Sequence, residues 1–119
     1  MAIKSVQIGV EDTELLEVPA GIRFAVTVIM ICNTSEPDPA DPDANAASFT
    51  MHFVKTGDPI SDLNTVIKSL PLTAGETFTF DTEKIIMEQF DKIVINGDYP
   101  AGGDSSANYL SATTSFLEL

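Results

Sequence analysis

The sequence predicts an all-β domain, an antiparallel β-sandwich of jelly-roll-like type with about eight or nine short strands. The first observation is the stretch 22–32, IRFAVTVIMIC, in which Arg23 is the one charged residue and β-branched residues predominate. Such residues favour a pleated sheet, and apolar residues on both faces indicate a central strand covered on both sides. The second observation is the recurrence of short strand-like runs between turn-forming residues. The third is the alternation of apolar and polar residues within several runs.

The runs follow one another closely enough for a single domain spanning 1–119. Alternation is clearest where Phe49, Met51 and Phe53 interleave with Thr50 and His52, and it recurs at 77–80. Turn-forming residues occupy the breaks at 19–21, 56–59, 74–76 and 96–98. The expected strands are 5–10, 14–18, 23–32, 48–55, 66–72, 77–80, 85–87, 92–95 and 109–117.

Two segments also carry a helical spacing. In 63–70, apolar residues recur at helical intervals, but Pro71 disfavours α geometry at Leu70, so the segment is assigned mainly to a strand. A helical turn near 61–64 remains open. In 82–89 a short helix is the alternative to the strand at 85–87.

The loop 36–45, EPDPADPDAN, combines three prolines with four acidic residues. Proline favours the polyproline II conformation and like charges repel, so the loop is expected to be extended, exposed and to project as a hairpin connection. A second polar loop at 99–108, rich in Gly and Ser, is expected to be the more flexible.

Eighteen acidic residues against six basic ones give a net charge of −12. This charge opposes binding to nucleic acid and to an anionic membrane surface. The apolar run is too short to span a bilayer, and the first residues lack the apolar stretch of a signal peptide. The sequence therefore predicts a protein made in the cytoplasm, with neither nucleic acid nor membrane as a partner.

The chain offers few reactive side chains. Cys32 has no cysteine partner and is expected to be a small buried residue, while His52 is expected to be a surface or interface histidine. Neither a nucleophile elbow nor a phosphate-binding loop occurs. No enzyme, catalytic residue or cofactor is predicted.

A calcium site in the acidic loop is the more specific alternative to a chain without a ligand site. Asp38, Asp41 and Asp43, helped by Asn45, could supply oxygen ligands. The spacing does not match an EF-hand, prolines intervene, and no glutamate closes the loop. A solvated acidic loop is the favoured interpretation.

Five segments carry a recognisable pattern: MAIKSVQIG at 1–9, AVTVIMICNTS at 25–35, LPLTAGETFTFD at 70–81, IIMEQFDKIVI at 85–95 and SATTSFLEL at 111–119. Together they resemble a group of small phage virion proteins. The chain departs from that group in its acidic proline loop, which looks like an insertion, and in having Gln89-Phe90 where a small residue and glycine are usual. Phe90 is either an exposed interface anchor or folds back onto the core.

The resemblance implies a non-enzymatic virion structural protein, with capsid decoration favoured over a tail, neck or fibre role. A carbohydrate- or calcium-binding module is the alternative from another class, although Tyr99 and Tyr109 are the only tyrosines and tryptophan is absent. We expect other virion proteins as partners and a homo-oligomer, most simply a trimer. Phe116, Leu117 and Leu119 are candidate interface residues, unless their strand completes the protomer's own sheet.

Overall fold

The computed structural model describes residues 2–41, 43–81, 85–99 and 109–119, and it confirms the all-β prediction. Nine strands form two antiparallel sheets. Each strand overlaps one of the predicted strands. They are β1 (Ala2–Gln7), β2 (Thr13–Glu17), β3 (Phe24–Asn33), β4 (Ala47–Val54), β5 (Thr65–Leu72), β6 (Thr77–Phe80), β7 (Ile85–Met87), β8 (Lys92–Asp98) and β9 (Leu110–Glu118).

The strand order is that of a jelly roll. The first sheet has the order β1-β9-β3-β6, and the second has the order β2-β8-β4-β5. β6 and β7 pair with successive parts of β3 and so share one strand position. With these two counted as one, the first strand pairs with the last, the second with the next to last, and so on inward. This nested pairing defines the jelly roll.

Apolar side chains fill the space between the sheets. Ile29 and Ile31 of β3 face Phe49 and Met51 of β4 across this interior, and all four are buried. Phe49 and Phe78 link the sheets through ring centroids 5.8 Å apart. The described interior is therefore a packed hydrophobic core.

β3 is the central strand, as predicted, but it is covered on one face only. It lies between β9 and the β6/β7 position. Met30 on its outer face is 38% exposed, and Val28 and Cys32 beside it are half-buried. A two-layer sandwich has no third layer to cover the outer face, so apolar character on both faces did not indicate burial of both.

Three local expectations are decided by backbone geometry. The helical turn near 61–64 is present as a 3₁₀ turn over Asp62–Asn64, in which Ser61 and Asn64 form a reciprocal capping box. The segment after it is the strand β5, and residues 85–87 form the strand β7. The helix alternative at 82–84 and the loop at 100–108 lie outside the described residues.

The turn predicted at Asn96-Gly97-Asp98 is wrong, because β8 continues to Asp98. Asn-Gly is a turn signal, but here Gly97 pairs with Phe49 of β4. A Cβ at Gly97 would lie 3.1 Å from the Tyr99 ring and 3.2 Å from Ile8. Glycine is therefore required by a close approach of side chains inside the strand.

The sandwich has two distinct ends. What we call the upper end contains the loops at 9–12, 34–46 and 73–76. The lower end contains the turn at 19–23, the segment 55–64, the turn at 88–91 and the last residues of β9. In the part of the chain that the structure describes, no helix is long and apolar enough to cross a membrane.

Candidate functional site

His52 is a structural residue on the outer side of β4. The sequence placed it at an outward position, which is correct, but its side chain is buried and so is not a surface histidine. The 3₁₀ turn and Thr65 cover it, and its Nδ1 lies 3.1 Å from the Thr65 hydroxyl. That hydroxyl donates to the carbonyl of Ser61, so the imidazole has no hydroxyl to activate as a nucleophile.

Cys32 is half-buried on the outer face of β3, where the sequence predicted a small buried residue. Its neighbours across the sheet are Thr77 and Ser111. The reason for the difference is again the uncovered outer face of the first sheet.

The acidic loop is folded into successive turns, so the expectation of an extended polyproline II segment is wrong. The amides of Asp41, Ala44 and Ala46 donate to carbonyls three residues earlier. The loop is exposed, as predicted, but it is not a hairpin, because β3 and β4 belong to different sheets. Proline restricts φ to values that tight turns also use, which explains how a proline-rich segment can be compact.

Two carboxylates of this loop accept hydrogen bonds from backbone amides within the loop. Asp38 Oδ1 accepts from the amide of Ala40, and Asp41 Oδ1 accepts from the amide of Asp43. Within the described ranges, no group of three or more His, Cys, Asp or Glu side chains could hold a metal ion. The carboxylates of Asp38 and Asp41 thus have local backbone partners, and the structure does not bring Asp38, Asp41 and Asp43 together as a ligand set.

Asn33 anchors the acidic loop, and the analysis of the sequence did not single it out. It ends β3 and is fully buried. Its Nδ2 donates to the carbonyls of Asn45 and Leu72, while its Oδ1 accepts from the amide of Ser35. One amide group therefore joins the start of the loop to its end and to β5. In the sequence, the signal for this role was a polar residue at the end of an apolar strand, because such a residue needs hydrogen-bond partners if it is buried.

Tyr99 and Tyr109 pack against each other inside the upper end, with ring centroids 4.8 Å apart. The Tyr99 hydroxyl donates to the carbonyl of Ile8 and accepts from the amide of Leu110. Burial raises the pKa of both phenols above the usual value. Because both rings are buried, neither offers the exposed aromatic platform that a sugar site would use.

The charge of the described upper end is entirely acidic. Glu11 and Asp12 lie in the loop at 9–12, Asp98 ends β8, and Glu76 lies in the turn at 73–76. The loop 36–45 adds four acidic residues. The described basic residues lie elsewhere, along the strands or at the lower end: Lys4, Arg23, Lys55, Lys68 and Lys92. A second acidic body would be repelled from the upper end.

Phe90 projects from the lower end, which decides between the two positions expected for it. Its side chain is 45% exposed, and its backbone φ is 64°. Positive φ favours glycine, so a phenylalanine here carries a backbone cost. The turn is held by a bond from its amide to Val18 and by one from the amide of Gly21 to Gln89.

The lower end also carries an exposed leucine on a rigid support. Leu63 is 99% exposed on the capped 3₁₀ turn. Beside it is an open groove of about 460 Å³, whose lining includes Phe53, Pro59 and Val66. Phe90 and Leu63 thus present apolar groups to solvent from two turns with defined backbone bonds.

The candidate residues of the last strand separate into core and surface positions. β9 lies between β1 and β3, so it completes the protomer's own sheet. Phe116 points inward and packs on Phe24 with ring centroids 4.6 Å apart. Leu117 lies on the outer face and Leu119 near the lower end, and both are exposed. Only the last two therefore remain available to a partner.

The outer faces of the two sheets differ in charge. On the second sheet the register places Glu14, Lys92 and Asp98 outward. On the first sheet, none of the described outward residues is an acid or a base. These residues are Ile3, Ser5 and Gln7 of β1, Ala25, Val28, Met30 and Cys32 of β3, Thr77 and Thr79 of β6, Ile86 of β7, and Ser111, Thr113, Ser115 and Leu117 of β9.

Comparison of the chain with protein-family models and with curated proteins gives no match. The features that bear on function are therefore those of the molecule itself. They are a packed interior, an upper end whose described charged residues are all acidic, a lower end that exposes Phe90 and Leu63 among charged residues of both signs, and one sheet face whose described outward strand residues are uncharged.

Proposed function

We propose that the chain is a non-enzymatic structural protein of a phage virion, with capsid decoration as its role, acting as a homo-oligomer among other virion proteins. The observation that carries the proposal is the distribution of exposed large apolar side chains. Apart from Val10, the exposed large apolar side chains of the described residues lie in two regions. One is the lower end, together with the part of a strand next to it, and the other is the outer face of the first sheet. Clustered apolar exposure indicates contact with proteins.

The acidic upper end supports an orientation on the particle. A lower end with Phe90 and Leu63 can pack against another protein, whereas an end whose described charged residues are all acidic remains stable in water. The proposed arrangement therefore has the lower end attached and the loop 36–45 facing outward.

The fold is compatible with this role without deciding it. Jelly rolls occur in viral capsid proteins, in lectins and in cupins. Function has to be argued from the surface of the particular chain. Here the surface favours protein contact, and the two tyrosines that a sugar site could use are buried.

Antibody labelling of purified phage, viewed by negative-stain electron microscopy, tests the proposal. Labelled heads are the expected result. Labelled tails, necks or fibres would replace decoration by the other structural role, and particles without label at any position would overturn the proposal.

A matched pair of variants tests the orientation. Phe90→Ala should reduce incorporation into particles, because it removes an exposed aromatic group from the proposed contact. Val10→Ala removes an exposed apolar side chain from the upper end and should leave incorporation unchanged. Equal incorporation of both variants at the wild-type level would contradict attachment through Phe90.

A further inference from the structure

We infer that the outer face of the first sheet is a self-association surface, on which a second copy of this chain packs face to face about a two-fold axis. The inference rests on the proposed function, since a virion structural protein works as an assembly. It goes further in naming the occupant, the surface and the symmetry.

The charge of the molecule selects this face. Two copies that each carry a net charge of −12 repel one another wherever their acidic surfaces meet. The described strand residues of this face add no charge to the contact, whereas the outer face of the second sheet carries Glu14, Glu17 and Asp98 beside Lys92 and is acidic on balance. A two-fold contact places each patch on itself, so a neutral patch avoids like-charge contact.

The exposed side chains of the face suit sheet-on-sheet packing. Met30 and Thr113 are directly opposite each other on the central strands β3 and β9. Ile86 and Leu117 flank Ala25 at one end of the face, and all three lie in the same cross-strand row. Small hydroxyl residues occupy much of the remainder, and Gln7, on the edge strand β1, is the one long polar side chain among the described residues of the face.

The size of the face is adequate for a dimer. Four strand positions at a spacing of about 4.8 Å, and strands of up to ten residues at about 3.3 Å per residue, give a face of about 19 by 30 Å. Before side-chain relief is counted, this plan area is at most about 570 Å², which exceeds the roughly 400 Å² per molecule below which most crystal contacts fall. It is smaller than the roughly 800 Å² per partner of a standard interface.

A two-fold contact through this face gives a dimer and not the trimer that the sequence suggested. A flat face placed on its own copy is closed after two molecules. Closure also leaves the lower end and the acidic upper end of both copies uncovered.

Met30 lies near the middle of the face and is the residue to change. Met30→Glu would place two glutamates in one dry contact, and the expected result is a monomer by light scattering coupled to size exclusion at about 10 to 200 μM protein, where the wild type is a dimer. Val66→Glu is the matched control, because Val66 is 44% exposed on the second sheet and Met30 is 38% exposed. It should remain a dimer.

Mixing variants tests the symmetry. Met30→Glu and Met30→Lys should each be monomeric, and an equimolar mixture should recover the dimer because opposite charges then face each other. Each variant must unfold cooperatively on heating, and Thr113→Glu with Thr113→Lys is the second pair if the first does not fold. A mixture that remains monomeric would overturn the two-fold arrangement.

Salt distinguishes a second copy from a basic partner. Raising NaCl from about 0.05 to about 0.5 M screens the repulsion between two acidic protomers and should strengthen the dimer. A wild-type monomer throughout the concentration range, a trimer, or a dimer that survives Met30→Glu would overturn the inference. These results leave antibody labelling of virions unaffected, so the inference and the proposed function can fail separately.

Discussion

At the scale of single residues, side-chain direction matters more than apolar character. Val28 and Ile29 are adjacent in the apolar run whose two faces were both expected to be covered. A register shift between Val26 and Val28 lets Thr27 bulge, and the Thr27 hydroxyl bonds to the carbonyl of Ser115. As a result Ile29 is fully buried and Val28 faces outward.

Aspartate at these two positions should therefore have opposite outcomes. Ile29→Asp buries an unpaired carboxylate, which costs several kcal/mol against a total stability of about 5 to 15 kcal/mol, and it should prevent folding. Val28→Asp should fold, because its carboxylate reaches solvent at the outer face. Circular dichroism and thermal unfolding of the two variants check this. A soluble, cooperatively unfolding Ile29→Asp would contradict the assignment of the core.

The Tyr99 hydroxyl makes folding stability depend on alkaline pH. Burial raises the pKa of Tyr99 in the folded protein. A raised folded pKa means that its stabilising effect is complete below the unfolded value of about 10 and is lost as the pH rises through the folded value. The ionised phenolate also cannot donate to the carbonyl of Ile8.

Replacing Tyr99 by phenylalanine should separate these effects. At pH about 8, Tyr99→Phe should lose about 1 to 3 kcal/mol, because the carbonyl of Ile8 and the amide of Leu110 lose a partner. Between pH about 8 and about 11 the variant should lose less stability than the wild type. Urea unfolding at both pH values measures this, and parallel losses in the two proteins would exclude Tyr99 as the source.

At the scale of elements, the presence of each strand could be predicted, because it depends on local composition. The neighbours of each strand in the sheet could not be predicted. The nine runs, including the short β7, could be predicted from alternation and turn residues. Gly97 and the acidic loop show the other case. Whether Asn-Gly forms a turn depends on the neighbouring strand β4. The shape of the acidic loop depends on Asn33, which contacts Leu72 only in the folded protein.

The candidate site was predictable to a similar extent. The exposed Leu117 and Leu119 and the charge-poor strand faces follow from composition and the last strand. The inward direction of Phe116 could not be assigned, because it requires the register of β9 against β3. The exposure of Leu63 and the sheet to which each strand belongs also depend on contacts distant in the sequence.

Asn33 should control the stability of the whole β3–β4 connection. Asn33→Ala leaves the carbonyls of Asn45 and Leu72 without their side-chain donor, and we expect a loss of about 2 to 4 kcal/mol. Asn33→Asp is nearly isosteric but turns an oxygen toward those carbonyls, so it should be at least as damaging. Chemical denaturation measures both, and limited proteolysis should show earlier cleavage within 36–45. Wild-type stability of either variant would contradict the anchoring role.

At the scale of the whole molecule, the jelly-roll pairing makes the first and last strands, β1 and β9, important for the stability of the domain. β9 is an interior strand, paired with β1 on one side and with β3 on the other. Its loss would leave β1 without a neighbour in its sheet. It would also expose the ring of Phe24, which packs on Phe116.

Removal of residues 115–119 should therefore prevent folding of the protomer. A variant ending at Thr114 lacks the β9 residues that pair with Ala2 and Ile3 of β1 and with the lower part of β3. It also loses the Phe116 ring, whose removal from a core alone costs about 3 to 5 kcal/mol.

Circular dichroism, thermal unfolding and light scattering distinguish the possible results. A variant that folds but no longer associates would assign these residues to the contact between copies, whereas loss of cooperative unfolding in dilute solution, where no association occurs, assigns them to the protomer core. A matched variant lacking only Glu118 and Leu119 should fold, because both side chains are exposed at the lower end.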